Sequence, residues 1–263
     1  MSGRPEASYP IPEERMQNVF SYIQERGGAQ IKELAQRFRV SDSTIRRDMD
    51  ELAERGLLRR THGGAVLPQP KGMYERIYDE KMSMQLEEKR RIARAAARYV
   101  EKGDTIFLDS GTTAYQLALC LAEKEGLTII THDLYLAANV EFDPSTSVVL
   151  TGGVKRADQK VLIGGMVEDF IRNLRLDTVF LTADAVTAEF GVSNTGFFEV
   201  GIKRGLVRAG KRILLLADHT KFEASASVKV CELSDIDRII TDRDLPWQAR
   251  EKLEGYPVQI ELA

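Results

Sequence analysis

The sequence predicts a two-domain chain: a small helical domain ending in a β-hairpin, then an α/β domain built on a mostly parallel sheet. Two observations carry this. Three helical patterns crowd into residues 12–56 and are followed by two short extended stretches around Gly63-Gly64; from about residue 100, short charge-poor apolar runs alternate with helical patterns. Runs of that kind belong to strands buried on both faces, the condition of a parallel sheet covered by helices. A chain of 263 residues accommodates a small and a medium domain at about 100–200 residues per domain.

Residues 1–11 carry little apolar content and read as a loose tail. In the first helix, 12–26, Met16, Val19, Phe20 and Ile23 share a face, and Gly27-Gly28 end it. The second, 30–38, turns Ile31, Leu34, Ala35 and Phe38 inward. The third opens at Ser41, a good N-cap, and sets Ile45, Met49 and Leu52 at i, i+4 and i+7 before Gly56 stops it. GLLRRTHGGAVL (56–67) reads as a hairpin or wing, which bounds the first domain at 12–66. Residues 67–85, with two prolines, a glycine and mixed charge, read as a linker. The second domain, 86–263, begins with a helix over 86–101. Seven strands follow: TIFLD (105–109), LTIIT (127–131), SVVLT (147–151), DTVFLT (177–182), RILLLAD (212–218), DRIITD (237–242) and VQIEL (258–262).

Composition narrows the function. With 37 Lys+Arg against 40 Asp+Glu the net charge is −3, so no bulk basic field marks a nucleic-acid binder and any such role must come from local patterning. Cys120 and Cys231 lie far apart without CxxC spacing, which excludes a disulfide framework and leaves spectator thiols. The N-terminus lacks the apolar core of a signal peptide, and no uncharged apolar run approaches the roughly 18–20 residues of a membrane span. These features predict a cytosolic protein with no membrane partner.

Two helices joined by the tight FRVS connection (38–41), the second starting at a serine cap, have the layout of a helix-turn-helix. Burial of Val40, Ile45, Met49 and Leu52 leaves Ser43, Thr44, Arg46 and Arg47 on the outer face of the third helix. Those residue types read base edges and phosphates. Residues 37–47 hold Arg37, Arg39, Arg46 and Arg47 against one acid, Asp42, and the wing adds Arg59, Arg60 and His62. The acids of the third helix, Asp48, Asp50, Glu51 and Glu54, fall toward its C-terminal half, away from the expected DNA face. SDSTIRRDMDELAERGLLRRTHGGAV (41–66) closely resembles the DNA-binding signature of the DeoR-type family of bacterial transcriptional regulators, mostly repressors of sugar metabolism. The specific words are TIRRD (44–48) and LRRTHGGA (58–65). The resemblance implies a winged helix-turn-helix whose Ser43, Thr44, Arg46 and Arg47 meet double-stranded operator DNA, with Arg60 and His62 near its backbone. Ser41 and Arg59 complete the candidate DNA-binding set.

In the second domain, ligands are expected where strands end, because an open α/β sheet gathers them there. Asp109, Ser110, Gly111, Thr112 and Thr113 follow the TIFLD strand and open a helix, where free main-chain N–H groups favour a phosphate. Other strand ends present Gly152-Gly153 with Lys155 and Arg156, then Thr182, Ala183 and Asp184, then Asp218, His219, Thr220 and Lys221. Hydroxyls, carboxylates and cations converging on one edge fit a small polyol phosphate. No GxGxxG or GxxxxGK[ST] motif is present, and His62, His132 and His219 lack metal-ligand spacing, so neither a cofactor nor a metal is expected.

DSGTT (109–113), TGG (151–153) and the ADHTKF run (217–222) are similar to effector-domain words of the same family, extending the resemblance over about 13–263. That domain is in turn similar to ribose-5-phosphate isomerase: TADAV (182–186) resembles the enzyme's GADEV word, ADHTK (217–221) resembles its lysine-bearing strand end, and Glu199 falls near its catalytic glutamate. The enzyme's Gly-rich, lysine-holding stretch between the GADEV word and the glutamate is here TAEFGVSNTGFF, without a lysine. Proton shuttling needs a placed base and electrophilic help for the enediolate. Glu199 could serve as the first; nothing supplies the second, so binding without chemistry is expected. Two further departures from the family are His132 after Thr131, where asparagine is usual, and the stretch TADAVTAEFGVSN. The expectation is a DNA-binding regulator, a dimer or higher oligomer, controlled by a phosphorylated sugar. Its effector set is Asp109, Ser110, Gly111, Thr112, Thr113, His132, Gly152, Gly153, Lys155, Asp184, Glu199 and Lys221. The alternatives are a sugar-phosphate isomerase with an accessory DNA-binding domain, and an oligomerisation platform with an empty pocket.

Overall fold

The computed structural model describes residues 12–26, 28–54, 57–61, 63–66, 78–156, 159–222, 224 and 226–263. The tail 1–11, the helix-ending Gly27 and Gly56, His62 of the wing and residues 67–77 of the linker lie outside the described residues. Contacts divide the chain into two compact units, 1–71 and 72–263.

The first unit runs α1 (Pro12–Arg26), β1 (Gly28–Gln30), α2 (Ile31–Phe38), α3 (Asp42–Glu54), β2 (Arg59–Arg60) and β3 (Gly64–Val66). Its apolar positions interlock as their helical period requires: Met16, Val19 and Ile23 meet Ile31, Leu34 and Ala35, and Ile45, Met49 and Leu52 close the core. Phe20 is only half-buried. The neighbouring Tyr22 is buried instead, its hydroxyl donating to Glu33 at 2.6 Å and its ring carrying Arg26 and Arg37 at 4.5 and 4.6 Å. Ser41 caps α3, its Oγ accepting from the Thr44 N–H at 3.1 Å. Arg15 of α1 grips Asp48 of α3 with two bonds, Nε at 2.7 Å and Nη2 at 2.9 Å. The wing is a three-stranded antiparallel sheet in the order β1-β3-β2, with Gly28 opposite Val66 and Arg59 opposite the same valine on the other side. Strand β1 has no sequence signal, since GAQ offers neither β-branched residues nor alternation.

The second unit runs α4 (Tyr78–Ser83), α5 (Leu86–Ala96), β4 (Thr105–Leu108), α6 (Thr112–Leu121), β5 (Thr128–Thr131), α7 (Leu134–Asn139), β6 (Ser147–Leu150), β7 (Val154–Lys155), β8 (Leu162–Ile163) and α8 (Gly165–Arg172). It continues β9 (Thr178–Thr182), β10 (Ala185–Thr187), β11 (Gly191–Asn194), α9 (Val200–Ala209), β12 (Ile213–Leu216), β13 (Val228–Cys231), β14 (Arg238–Thr241), α10 (Trp247–Leu253) and β15 (Gln259–Leu262). The predicted helix 86–101 ends early, its last turn tightening to a 3₁₀ turn at Ala97–Tyr99. Helix α4 forms inside the stretch read as linker, because Tyr78 is buried and packs on Tyr135 with ring centroids 5.1 Å apart.

All seven predicted strands join one parallel sheet, ordered β15-β14-β12-β9-β4-β5-β6. Alternate residues feed two cores. Ile106, Leu108, Ile129, Leu214 and Ile240 pack with α5 and α6 on one face; Phe107, Ile130, Val179, Leu215 and Ile239 pack with α8 and α9 on the other. After β4 the chain builds outward through β5 and β6, then returns to lay β9 on the other side of β4. The boundary between β4 and β9 is therefore the topological switch point, where an open sheet leaves a crevice. A second sheet, β10-β11-β13, and the hairpin β7-β8 have no counterpart in the sequence reading. Their strands are two to four residues long and too short for a readable period. Among the described residues no helix is long and apolar enough to cross a membrane.

Gly64 belongs to the wing because no side chain fits there: a Cβ would lie 2.1 Å from the Ala29 carbonyl oxygen across the β1-β3 pair. Gly64→Val is expected to destabilise the first unit by about 1–3 kcal/mol, as overpacking does. Urea unfolding of the intact chain followed by circular dichroism checks this; Gly63→Ala, with no atom within 4 Å of its Cβ, is the neutral control.

Candidate functional site

On α3 the period sorts the TIRRD word by direction. Ile45 and Asp48 are buried, whereas Ser43, Arg46 and Arg47 are exposed and Thr44 is half-buried. Among the described residues Arg46 and Arg47 make no ion pair. Ser41, Ser43 and Thr44 form a hydroxyl cluster at the start of the helix, with Oγ of Ser41 2.8 Å from each of the other two oxygens. Arg60 turns back on α3, its Nε 2.9 Å from Asp50 and its Nη1 2.8 Å from the Met49 sulfur. Arg59 lies in β2. Asp48 and Asp50 are thus structural partners of Arg15 and Arg60.

At the switch point of the second unit stands Asp109, with no exposed surface, directly after β4. Its Oδ2 accepts from the Thr182 main-chain N–H at 2.9 Å, from the Thr182 hydroxyl at 3.0 Å and from Lys203 Nζ; its Oδ1 lies 3.1 Å from His132 Nε2. His132, equally buried, has its other ring nitrogen 3.1 Å from the Leu162 carbonyl oxygen. Both acceptors suit an N–H of the ring. Burial alone would push its pKa down, but the bond and charge of Asp109 outweigh burial and the pKa is raised. Burial would likewise lift the Asp109 carboxyl, yet Lys203 and His132 hold it well below the usual carboxylate range. Lys203, 1% exposed on α9, is raised in turn by Asp109 and Glu199 against its own burial.

Around this centre the predicted residues assemble unequally. Ser110 Oγ donates to Glu199 Oε2 at 2.7 Å, and Arg156 stands 3.7 Å from the other Glu199 oxygen, its guanidinium over the Phe198 ring. The Gly111 N–H donates to Asp133 at 3.0 Å, and Thr112 and Thr113 form the buried first turn of α6. Asp184, one strand over, is bonded to Lys81 of α4 at 3.1 Å and to the Thr195 N–H at 3.0 Å, and Lys81 holds its carboxyl below the usual range despite burial. Lys221 sits in the 3₁₀ turn His219–Lys221 after β12, with no ion pair among the described residues. Gly152 and Gly153 follow β6 with φ of 73° and 114°. A Cβ at Gly153 would fall 2.7 Å from Val167 and 2.8 Å from the Ile163 carbonyl, so that glycine serves packing. Lys155 is exposed on β7 and, among the described residues, bonds the Arg156 carbonyl at 3.3 Å, apart from the network.

Sequence reasoning missed Lys203, Asp133, Lys81 and Lys89. For two of them a signal existed: Lys203 shares the inward face of α9 with Val200 and Leu206, and Lys89 shares that of α5 with Ile92, Ala93 and Ala96. A lysine on an apolar stripe marks a buried cation with a purpose. Lys89 Nζ donates to the carbonyls of Lys81 at 2.6 Å and Met84 at 2.5 Å. Burial, helped by Lys221 and Lys81 and opposed by Asp218, lowers its pKa to about 8. Tertiary folding also groups His219 with Asp242 and Asp244, a constellation able to ligate a metal. The Asp242 oxygens there already accept from His219 Nδ1 and N, both at 2.8 Å, and from the Asp244 N–H at 3.1 Å.

Comparison with known proteins places both units. The family described as the DeoR C terminal sensor domain matches residues 84–243, and the DeoR-like helix-turn-helix domain matches residues 15–71. The glycerol-3-phosphate regulon repressor of Escherichia coli (strain K12) is 32% identical over 249 residues, spanning 95% of this chain and 98% of that one. The HTH-type transcriptional regulator GolR of Listeria innocua is 32% identical over 252 residues, 95% of this chain and 99% of its own. Among solved structures, ribose 5-phosphate isomerase A from Neisseria gonorrhoeae aligns over 56% of this chain and 57% of its own, at 17% identity and a TM-score of 0.39.

Removing one partner of a buried ion pair leaves an uncompensated charge, which costs about 3–5 kcal/mol. Lys203→Met is expected to lose that much in urea unfolding of the second unit. Adding Asp109→Asn should recover part of it, because the orphaned charge is then gone.

Proposed function

Since the chain belongs to the DeoR family of transcriptional regulators, we propose that it is a repressor of carbohydrate-metabolism genes whose hold on operator DNA is set by a phosphorylated sugar or polyol bound at the strand ends of the second unit. The observation that carries the sensor reading is Lys89. It is a buried ammonium whose hydrogen-bond partners are two main-chain carbonyls, with no ion pair to a carboxylate among the described residues. A buried cation without a counter-charge is a standing cost that an anion removes. Lys221 adds positive potential beside it, and the first turn of α6 at Thr112 and Thr113 supplies main-chain donors of the kind that bind phosphate. Sugar hydroxyls fall to Asp184, Glu199, Ser110 and Arg156. Gly111, Asp109 and His132 hold that surface in shape, while Gly152, Gly153 and Lys155 contribute loop geometry at its margin.

The same bonds support a regulator over an isomerase. Asp109 and Asp184 are pinned by cations and their carboxyl pKa values lie low, and Glu199 is shared by Ser110 and Arg156. A general base needs a free carboxylate tuned upward. The relatives carry the names of repressors and transcriptional regulators. Turnover of ribose 5-phosphate that vanishes in Glu199→Ala would overturn this reading.

For the DNA half, α3 enters the major groove of a double-stranded operator with Ser43, Thr44, Arg46 and Arg47 forward and Ser41 at its cap; Arg59, Arg60 and His62 of the wing lie near the backbone, with the chain acting as a homo-oligomer. Lys81 couples the halves. It belongs to α4, the first described helix after the segment joining the two units, and it is bonded to Asp184 at the ligand site. A ligand that competes for either group shifts α4, and a coupling of about 1–3 kcal/mol changes operator affinity roughly 5–150-fold.

Arg46→Ala or Arg47→Ala is expected to weaken operator binding by about 1–3 kcal/mol in fluorescence anisotropy; two unchanged affinities would remove α3 from the groove. A thermal-shift screen against phosphorylated sugars, glycerol 3-phosphate among them, should yield a ligand that adds about 2.7 kcal/mol at a hundred times its Kd. Because Lys89 loses its proton above about pH 8, affinity for that ligand should fall with rising pH, approaching about tenfold per unit. Lys89→Met should bind weakly and without this pH dependence, and a wild-type affinity flat from pH 7 to 9.5 would place the phosphate elsewhere.

A further inference from the structure

We infer that the second unit carries another anion site, separate from the strand-end site, that takes a compact polyphosphate group. A cavity of about 240 Å³ lies between α5 and the carboxyl ends of β14 and β15, lined by Arg91, Arg94, Arg98 and Arg243, with Ala95 and Leu262 among the remaining contacts. Arg91, Arg94 and Arg98 stand at i, i+3 and i+7 along α5 and its 3₁₀ extension, so a single helix face gathers them. Lys89 lies on the opposite side of the same helix, on the stripe that holds Ile92 and Ala96 in the core. The two basic clusters therefore serve different spaces.

The arginine charges are not cancelled where they stand. Arg91 Nη2 lies 3.2 Å from Glu88, but its Nε–H is buried without an acceptor. Arg98 shares Glu261 with Arg238 and with the Tyr99 hydroxyl. Arg94 and Arg243 make no ion pair among the described residues, and Ala263 also lines the cavity. Five guanidiniums thus meet two side-chain carboxylates. Guanidinium stays charged at any physiological pH and meets phosphate oxygens two at a time, whereas ammonium acts as a point charge. A cavity this size is below the roughly 300 Å³ of the smallest drug-sized pockets, yet several times the about 30 Å³ share of one water. It holds a pyrophosphate-like head. The surplus of positive charge favours that head over a single phosphate.

The test is calorimetric titration of the intact chain with inorganic pyrophosphate, at ionic strength held constant with chloride. Wild type is compared with Arg94→Ala/Arg243→Ala and with Lys89→Met. Both arginines are exposed and unpaired among the described residues, so the double variant should melt like wild type. Arg94→Lys/Arg243→Lys keeps the charge and loses the fork. Pyrophosphate should bind wild type and Lys89→Met alike, at least about tenfold more weakly to the double alanine variant, and at an intermediate level to the lysine variant. Equal affinity in wild type and the double alanine variant would overturn the inference. So would binding lost only in Lys89→Met, which would put the anion in the strand-end site. No pyrophosphate binding, with DNA affinity reduced in the double alanine variant, would overturn it too and assign these arginines to a nucleic-acid backbone.

Discussion

A carboxylate with no exposed surface is the constraint around which the second unit is organised. Asp109 directly follows β4, beside the central strand β9, at the sheet's switch point, and nothing in the apolar interior could tolerate its charge alone. The compensation comes from three other elements: Lys203 from α9, His132 from the end of β5, and the Thr182 main chain and hydroxyl from the end of β9. Each arrives only if β4, β5 and β9 lie side by side in register. The network therefore specifies strand order as well as local geometry, and it leaves the strand-end surface rigid. Rigidity of that kind suits a site that must recognise a small polar ligand without reorganising.

The same network engages the carboxylates at the strand ends. Catalysis of proton transfer needs a carboxylate free to change protonation. Here Asp109 is locked, Asp184 is tied to Lys81, and Glu199 is bonded to Ser110 and faced by Arg156. The buried cation Lys89 bonds two main-chain carbonyls and makes no ion pair among the described residues.

The first unit solves a different problem, that of presenting charge outward from a core of only a few side chains. The TIRRD word does this by helical period alone. Ile45 enters the core, Asp48 is clamped by Arg15 of α1, and Arg46 and Arg47 are left pointing out. The clamp orients α3 on α1, and β3 pairs closely with β1 because Gly64 lets it approach the Ala29 carbonyl. What looks in sequence like one recognition motif is divided in three dimensions between groups that build the helix and groups that face away from it.

How much of this was legible beforehand follows from the range of each interaction. Periodicity is a local property, so the helix faces of Met16, Ile31 and Ile45 and all seven strands of the parallel sheet could be read from neighbours a few residues apart. A strand end followed by small hydroxyl residues likewise named Asp109 and Ser110, and the isomerase resemblance named Glu199, although not as partners of one another. Strands such as Ala185–Thr187 and Gly191–Asn194 escaped because they are too short to carry a period and are held by pairing with each other and with Val228–Cys231. The sequence by itself therefore determined the two-part architecture, the sheet and the outward arginines of α3. Only the tertiary structure decided that Lys203 neutralises Asp109, that Arg60 folds back onto Asp50 and that Lys89 makes no ion pair among the described residues. The reason is physical: a charge's fate depends on which opposite charge the fold brings within about 4 Å in a dry interior, and for Asp109 that partner lies ninety-four residues away along the chain.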